Sequence, residues 1–383
     1  MNLRRVLALG LSAAVGGGFV ATATVAGLLT FPQRDYGTRV ESFHGLRQNG
    51  IELDRQSNAT FLALDFKSDL KKEAIGRWMR VLTSDASLLS QGKSIIGDPQ
   101  GEMSENPARL TITFGFGYSL FKKVNNEAVW PLEITTLPSF SIDKLQSRWS
   151  GGDLLIQIAG DNPLSIFHAA HVLQRDSQPF ASLRWQQRGF LDPAGINEGK
   201  TTRNLMGQLD GSANPQIGTK AFHNRTWKDN TTSLVIRRIE MNLGTWDSLS
   251  ANVKSEVIGR SLKDGAPLSG GNEKSKPNFT MKFNESMTAI SKSSHLRRAF
   301  TQGDLGLVRR GYNYDDGYES AGNHEVGLIF VSYQMKVKQF VEIQKRLATL
   351  DSLNQWTTPI GSALFFIPEG VTEGEWIGQR YFS

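Results

Sequence analysis

The order of strands and helices repeats once along this chain, and that repeat restricts the folds it can adopt. In the first half, apolar runs predict strands and helical spacing of apolar residues predicts helices. The strands are at residues 61–66, 110–116 and 154–158, and the helices are at 71–89 and 163–175. The same patterns in the second half predict strands at 234–241 and 326–333 and helices at 246–258 and 340–353. Each half therefore offers a sheet with helices for one face, which predicts an α+β fold of two duplicated units.

The length of 383 residues exceeds what one hydrophobic core usually supports. We place the boundary between the units in the turn-rich region around residues 190–215, and predict a first domain at 31–205 and a second at 206–383. A boundary between domains is a favoured place for a ligand pocket. The region around this boundary is therefore the first place to search for a site.

The first 30 residues are set apart from both units. Arg4 and Arg5 precede a run at 6–33 without a charged residue, and this run contains the small-residue stretch Ala21-Thr22-Ala23. These features are typical of an export signal, and the arginine pair favours the twin-arginine route. The run is also long enough to span a bilayer, so an uncleaved N-terminal anchor is the alternative.

The composition excludes several kinds of chemistry. The chain has no cysteine, which removes disulfides, thiolate metal sites and a cysteine nucleophile. Its formal charge of +6 is spread along the chain without a block of like charges, so nucleic acid is not an expected partner. Any metal or cofactor must therefore bind histidine, carboxylate or other oxygen ligands.

Asp210 lies in an unusually turn-rich stretch, Asn-Leu-Met-Gly-Gln-Leu-Asp-Gly-Ser-Ala-Asn-Pro, at residues 204–215. A surface turn is one interpretation, because Asp-Gly and Asn-Pro are ordinary turn dipeptides. A calcium-binding loop is not supported, because Ala221 occupies the position where a bidentate acid is required. The alternative to a plain turn is a carboxylate held out for chemistry.

Six histidines are present, and one has a distinctive context. His168 and His171 lie one helical turn apart, but no third ligand is near them in the sequence. His295 stands in Ser-His-Leu-Arg-Arg-Ala and is soon followed by Val-Arg-Arg-Gly-Tyr-Asn-Tyr at residues 308–314. The sequence around His295 therefore distinguishes it from the other five histidines.

Together these segments resemble the DyP-type (dye-decolourising) haem peroxidases, most closely the exported, iron-uptake-associated (EfeB-like) branch. Residues 207–211 match the Gly-x-x-Asp-Gly motif of that family, and residues 294–297 match its Ser-His-x-Arg block. Residues 308–314 match Leu-Arg-Arg-Gly-Tyr-x-Tyr except that Val308 replaces the leading leucine. Further similar blocks are at 113–117, 185–190, 258–268 and 360–365. The resemblance thus extends over nearly all of the chain after the leader.

The resemblance implies two ferredoxin-like domains and one non-covalent haem b per chain, bound mainly by the second domain. It implies that His295 is the proximal ligand of the haem iron. It makes Asp210 and Arg309 the distal pair, in which the carboxylate moves a proton and the guanidinium supplies fixed positive charge. Arg310 is then a candidate for a haem propionate, although the sequence alone allows the two arginines to exchange roles.

The glycines of the motif have a related expected role. Gly207 and Gly211 would let the backbone approach the porphyrin closely where a side chain would collide. Both are therefore predicted cofactor-binding positions.

The predicted function is an exported haem peroxidase that reduces hydrogen peroxide and oxidises phenolic, dye-like or metal donors. Two alternatives stay open: a haem-processing, deferrochelatase-like protein that releases iron, and a non-catalytic haem-binding protein. The resemblance also indicates iron-uptake components as possible partners. The leader indicates possible membrane association through the N-terminus. The sequence leaves the formation of a homo-oligomer open.

Overall fold

The first half of the chain forms a four-stranded antiparallel sheet with helices on one face. The computed structural model describes residues 37–124, 136–302 and 305–383, so the predicted leader lies outside the described residues. The strands are β1 (Asn58–Phe66), β2 (Thr111–Gly117), β3 (Leu154–Gly160) and β4 (Ala181–Phe190). Their order across the sheet is β2-β3-β1-β4. The helices that follow β1, β2 and β3 are α1 (Lys72–Ser90), α2 (Tyr118–Val124) and α3 (Pro163–Ser177).

Helix α1 shows how the sequence produces this layer. Ile75, Trp78, Met79, Leu82 and Ala86 recur at helical spacing and are all buried in the core beneath the first sheet. A stripe of this kind favours a helix that packs one face against a sheet. The apolar pattern therefore fixes both the helix and the face that it buries.

The second half repeats the arrangement of the first. Its strands are β5 (Thr232–Met241), β6 (Val308–Arg309), β7 (Tyr312–Tyr318), β8 (His324–Gln334) and β9 (Thr357–Ile367). The four longer strands lie in the order β9-β5-β8-β7, which corresponds to β4-β1-β3-β2 in the first half. Helix α9 (Val337–Leu350) follows β8 as α3 follows β3. The fold is therefore a duplicated ferredoxin-like fold, which confirms the predicted α+β class.

The two sheets are joined at both ends. Strand β2 pairs with β9 through Phe116 and Phe366, and β4 pairs with β7 through Phe190 and Asn313. Between the sheets lies a shared apolar core, to which the first half contributes Phe61 and the second half contributes side chains such as Ile236 and Phe365. The boundary at residues 205 and 206 stays a prediction, because strands of both halves belong to one sheet system.

Short helices form the remaining connections between strands, and two of them replace one longer predicted helix. They are α4 (Pro193–Asn197), α5 (Lys220–Thr226), α6 (Leu243–Asp247), α7 (Ala251–Ile258), α8 (His295–Ala299) and α10 (Gln379–Phe382). The single helix predicted at 246–258 is wrong, since α6 and α7 replace it. Ser250 interrupts the predicted helix, because its Oγ accepts the N–H of Val253 and so caps the start of α7. Among the described residues, we find no helix with the length and apolar character needed to cross a membrane.

Two carboxylates meet between α1 and α3. Burial of Asp85, with the nearby charge and hydrogen bond of Asp176, raises the pKa of Asp85 to about 7. Oδ2 of Asp176 is buried and has no other hydrogen-bond donor among the described residues. Protonated Asp85 is the group able to supply that donor, so the contact favours a neutral Asp85.

Replacement of Asp85 by Asn should stabilise the protein at alkaline pH. A carboxyl with a raised folded-state pKa supports folding when it is protonated, and this support is lost as the pH rises from about 4 through about 7. We expect the free energy of unfolding of Asp85→Asn to exceed that of the original protein by roughly 1 kcal/mol at pH 8.5, and to differ little from it at pH 4. The effect stays this small because Asp85 is partly exposed. Urea unfolding at both pH values tests this, and an equal effect at both would contradict the pairing.

Candidate active site

A large cavity lies between the outer face of the second sheet and the helices that cover it. Its volume is about 810 Å³, within the range of roughly 300–1,000 Å³ found for cofactor and ligand pockets. More than half of its wall area is apolar, and the apolar side chains come mainly from the sheet, α7, α8 and α9, while charged side chains also line it. The apolar lining includes Ile239, Ile258, Leu328, Phe330, Phe340, Ile343 and Leu347. Asp210, His295 and Arg309 also line this cavity, so the structure brings three of the predicted site residues together.

The loop that carries Asp210 is held by its own hydrogen bonds. The backbone N–H of Asp210 donates to the carbonyl of Thr202 at 3.0 Å. The side chain of Asn204 accepts from the N–H groups of Met206 and Gln208 at 3.1 and 3.2 Å. This stretch is therefore a turn, as its residues indicate, and the turn places the carboxylate of Asp210 at the cavity.

The two glycines of the motif lie in the left-handed region of backbone conformation. Gly207 has a φ of 80° and Gly211 has a φ of 119°, which explains glycine at both positions. Neither lines the cavity, and a Cβ at Gly207 would meet no protein atom within 4 Å. Their predicted contact with a cofactor stays a prediction, while the turn itself accounts for the residue type.

Arg309 faces Asp210 across the cavity wall. Its Nη1 donates to Oδ1 of Asp210 at 2.9 Å, and both side chains keep about a quarter of their surface accessible, 27% and 20%. Strand alternation then sends the next residue, Arg310, to the other side. Arg310 is buried, and its guanidinium donates to the carbonyl of Leu53 at 2.5 Å and to Oε1 of Gln56 at 3.3 Å.

The structure thus separates the roles of the two arginines. Arg310 does not line the cavity, and its hydrogen bonds hold the segment that precedes β1. The predicted propionate contact of Arg310 has no support in this geometry, because the side chain is committed to backbone and amide oxygens. The exchange of roles that the sequence left open is also disfavoured, since Arg309 is the arginine beside Asp210.

Two further side chains hold the Asp210–Arg309 pair, and sequence reasoning missed both. Asn214 forms a two-way contact with the backbone of Arg309, since its Nδ2 donates to the carbonyl at 2.7 Å and its Oδ1 accepts the N–H at 3.0 Å. Arg55 donates to the carbonyl of Gly311 and to Oγ1 of Thr202. Arg55 therefore connects the turn after Arg309 with the segment that accepts the Asp210 N–H.

Loss of the Asn214 side chain should loosen the distal pair without emptying the cavity. With the peroxidase function that the resemblance implies, we expect Asn214→Ala to lower the rate of reaction with hydrogen peroxide roughly tenfold, since small misplacements of reacting groups are costly. The affinity for haem should stay within about twofold, because Asn214 does not line the cavity. Rapid-mixing kinetics and a haem titration measure the two quantities, and an unchanged peroxide rate would show that the Asn214 clamp is dispensable.

His295 opens α8, and one of its two ring nitrogens is hydrogen-bonded to a carboxylate of the cavity wall. Its Nδ1 lies 2.6 Å from Oδ2 of Asp351, which follows the last turn of α9. Burial disfavours the charged form of His295, but the charge and hydrogen bond of Asp351 outweigh burial, so the pKa of His295 lies above its ordinary value. Asp351 is the acidic partner that the sequence could not identify.

The residues of the cavity fit a haem. With Nδ1 of His295 bonded to Asp351, Nε2 has no hydrogen-bond partner among the described residues and remains the nitrogen able to bind iron. The apolar wall suits a porphyrin face, and the Asp210–Arg309 pair supplies polar groups on the same cavity. In the described ranges no cluster of three His, Cys, Asp or Glu side chains forms a separate metal site. A single histidine ligand beside a largely apolar wall is compatible with haem, whose iron a proximal histidine binds in several families.

The fold and the cavity therefore define a haem protein with an acid and an arginine beside its cofactor site. Residues 48–191 match the N-terminal domain of Dyp-type peroxidases, and residues 201–372 match the C-terminal domain of the same family. The chain belongs to the Dyp-type peroxidase family, and it is a haem-dependent peroxidase, an oxidoreductase that uses hydrogen peroxide and a reducing substrate.

Relatives of two kinds resemble the chain. The dye-decolorizing peroxidase of Thermobifida fusca (strain YX) is 35% identical over 290 residues, which cover 71% of this chain and 67% of that protein. The deferrochelatase of Escherichia coli (strain K12) is 28% identical over 361 residues, 87% of this chain and 85% of that protein. Among solved structures, ferric DtpA from Streptomyces lividans has a TM-score of 0.87 and 34% identity, covering 92% of this chain and 99% of that one. The exported iron-uptake branch suggested by the sequence is consistent with these relatives.

Proposed function

We propose that the cavity holds one non-covalent haem b per chain, and that Nε2 of His295 would bind its iron. The observation that carries the proposal is the shared cavity, in which this imidazole and the Asp210–Arg309 pair are both accessible. The absence of cysteine supports a non-covalent haem, because thioether attachment requires that residue. Asp351 would keep the His295 ring in one orientation and raise its basicity as a ligand.

A bound haem would supply the iron and the two electrons that reduce hydrogen peroxide. Asp210 would accept a proton from one oxygen of the peroxide and donate it to the other oxygen, which would then leave as water. Such proton transfer by a placed side chain is worth roughly 10² to 10⁴-fold in rate. The carboxylate oxygens of Asp210 carry the proton between the two atoms, so no solvent proton is needed at that moment.

Arg309 has a separate task in the same step. Its guanidinium stays charged and is fixed by the Asp210 contact and by the Asn214 clamp on its backbone. A fixed cation stabilises the negative charge that develops on the departing oxygen without having to reorganise. Asp210 and Arg309 therefore act as one unit, the first on the proton and the second on the charge.

The reducing substrate is proposed to be a phenol, a dye-like aromatic or a metal ion, oxidised in one-electron steps. The dye-decolorizing relative supports the aromatic donors. The test is the consumption of hydrogen peroxide by haem-loaded protein with a phenol, a sulfonated dye or Mn²⁺. A donor that accelerates turnover while the haem stays intact supports this function, and no acceleration by any of the three would contradict it.

A second function is favoured by the deferrochelatase relatives, which the chain matches over most of its length. In that function haem is a substrate, and the products are iron and free protoporphyrin. Extraction and chromatography of the porphyrin after anaerobic incubation of haem-loaded protein with an iron chelator separates the two functions. Recovery of metal-free protoporphyrin would favour haem processing, whereas recovery of intact haem would favour the peroxidase alone.

The leader supports export as a proposal of its own. The Arg4-Arg5 pair and the uncharged run that follows it favour the twin-arginine route, which suits a protein that acquires its cofactor before transport. The protein would then act outside the cytoplasm, with iron-uptake components as candidate partners. Retention of an Arg4→Lys, Arg5→Lys double variant in the cytoplasm supports the proposal, and unchanged export of that variant would contradict it.

A further inference from the structure

A short hairpin lies in the chain between the cavity wall and helix α8. The backbone N–H of Ala289 donates to the carbonyl of Met281 at 2.9 Å, and that of Phe283 donates to the carbonyl of Met287 at 2.8 Å. At the tip, Oδ1 of Asn284 accepts the N–H of Met287 at 2.9 Å. The hairpin of residues 281–289 is therefore shaped by hydrogen bonds within itself.

The hairpin exposes its large apolar side chains. Phe283 is 78% exposed, Met287 is 55% exposed and Met281 is 46% exposed. Single exposed apolar residues are ordinary, but three on one nine-residue hairpin form a local apolar patch. Patches of this kind bordered by polar residues mark interaction sites.

The same stretch is positively charged. Residues 273–292 contain the lysines Lys274, Lys276, Lys282 and Lys292 and two acidic residues, Glu285 and Glu273. Glu273 lies 3.1 Å from Nζ of Lys274 and offsets its charge, so the stretch keeps a net positive charge from the other lysines. All four lysines are exposed. The apolar tip thus lies beside positively charged side chains. This combination suits a partner with an apolar interior beneath a negatively charged surface.

We propose that the 281–289 hairpin docks the protein on an anionic lipid bilayer, with Phe283, Met281 and Met287 inserted into the headgroup region. The size of the patch favours a bilayer over a protein partner. A stable protein interface needs roughly 800 Å² and about 20–30 residues on each side, far more than this hairpin offers. A few inserted apolar side chains with adjacent lysines suffice for reversible binding to anionic lipid.

Docking would bring the cavity to the membrane surface. Arg297 of α8 donates to the carbonyls of Phe279 and Ile290, both at 3.1 Å, and so fixes the base of the hairpin two residues after His295. On the other side, Lys274 and Lys276 belong to the cavity wall. The hairpin is therefore connected at both ends to the haem site, and a donor dissolved in the bilayer would meet the cavity at its rim.

A single fluorescent label tests the proposal, because the chain has no cysteine of its own. Ser286→Cys in the full chain, labelled with an environment-sensitive dye, places the probe at the tip and keeps the three apolar side chains. Ile96→Cys, at a residue 99% exposed on the first half, is the matched control. With phosphatidylglycerol vesicles we expect a blue shift at 286 and none at 96, and little shift with phosphatidylcholine alone.

Two variants complete the design. Phe283→Ser and Lys282→Glu, each in the labelled Ser286→Cys chain, should both raise the lipid concentration for half-maximal shift at least tenfold, while peroxide turnover in solution stays unchanged. Membrane binding through the N-terminal leader alone would leave the label at position 286 in water. The label therefore distinguishes binding through the leader from binding through the hairpin. No shift at 286, an equal shift at 96, or no effect of Phe283→Ser would overturn the proposal. A shift that grows with protein concentration without vesicles would overturn it in favour of a second copy of this chain.

Discussion

Asp210→Asn should slow the reaction of the haem-loaded protein with hydrogen peroxide by roughly 10² to 10⁴-fold. The amide keeps the shape of the side chain but cannot take and return the proton. Its partner Arg309 would also lose the carboxylate 2.9 Å from its Nη1. Rapid mixing with peroxide, followed through the Soret band, measures this rate directly, and haem affinity should stay close to that of the unchanged protein.

Asp316→Asn is the matched control for this substitution. Asp316 also forms an ion pair with a buried arginine, Arg238, but it lies outside the cavity wall. We expect its peroxide rate to be unchanged. The double variant Asp210→Asn, Arg309→Leu should lose little more than either single variant, because the two side chains act in one step. A peroxide rate in Asp210→Asn within about threefold of the original would rule out proton transfer by this carboxylate.

His295→Ala should weaken haem binding by more than roughly a hundredfold, since loss of even an outer-shell partner of a metal ligand costs about 10–100-fold. The reason is that Nε2 of His295 is the proposed iron ligand, and no other histidine lines the cavity among the described residues. Titration of the haem-free protein with haem, followed through the Soret band, gives the affinity. The haem affinity of Asp351→Asn should lie between those of the original protein and His295→Ala, with a loss of about 10–100-fold relative to the original.

The control for His295→Ala is another histidine paired with an aspartate. His168 is buried, and its Nε2 lies 2.8 Å from Oδ2 of Asp98 in the first half of the chain. His168→Ala should reduce thermal stability and leave haem affinity unchanged. Equal losses of haem affinity in the two variants would indicate a general effect on folding, and would contradict axial ligation by His295.

Much of the fold could be predicted because it depends on local patterns. The apolar runs that became β5 and β8 and the apolar stripe of α1 report burial within one segment of the chain. The helix predicted at 246–258 failed because the Ser250 cap interrupts a periodic pattern, and periodicity carries no record of a cap. The pairings of β2 with β9 and β4 with β7 depend on strands far apart in sequence, which no local pattern can indicate.

The site shows the same division between local and distant information. Asp210, Arg309 and His295 could be predicted because each lies in a short motif with a recognisable order. Asp351 lies 56 residues after His295, and Asn214 lies 95 residues before Arg309, so these contacts appear only when the chain is folded. Asn214 did have a signal, since it closes the same turn-rich stretch as Asp210, whereas Asp351 has none beyond its place after a helix.

The central claim is that one cavity holds a haem between His295 and the Asp210–Arg309 pair. The most direct measurement is the visible spectrum of haem-loaded protein before and after one equivalent of hydrogen peroxide, and again after a phenolic donor. In the original protein we expect a Soret band that changes with peroxide and returns with the donor. In Asp210→Asn we expect the band to respond far more slowly. A Soret band that is indifferent to peroxide, or one that responds equally fast in both proteins, would contradict the central claim.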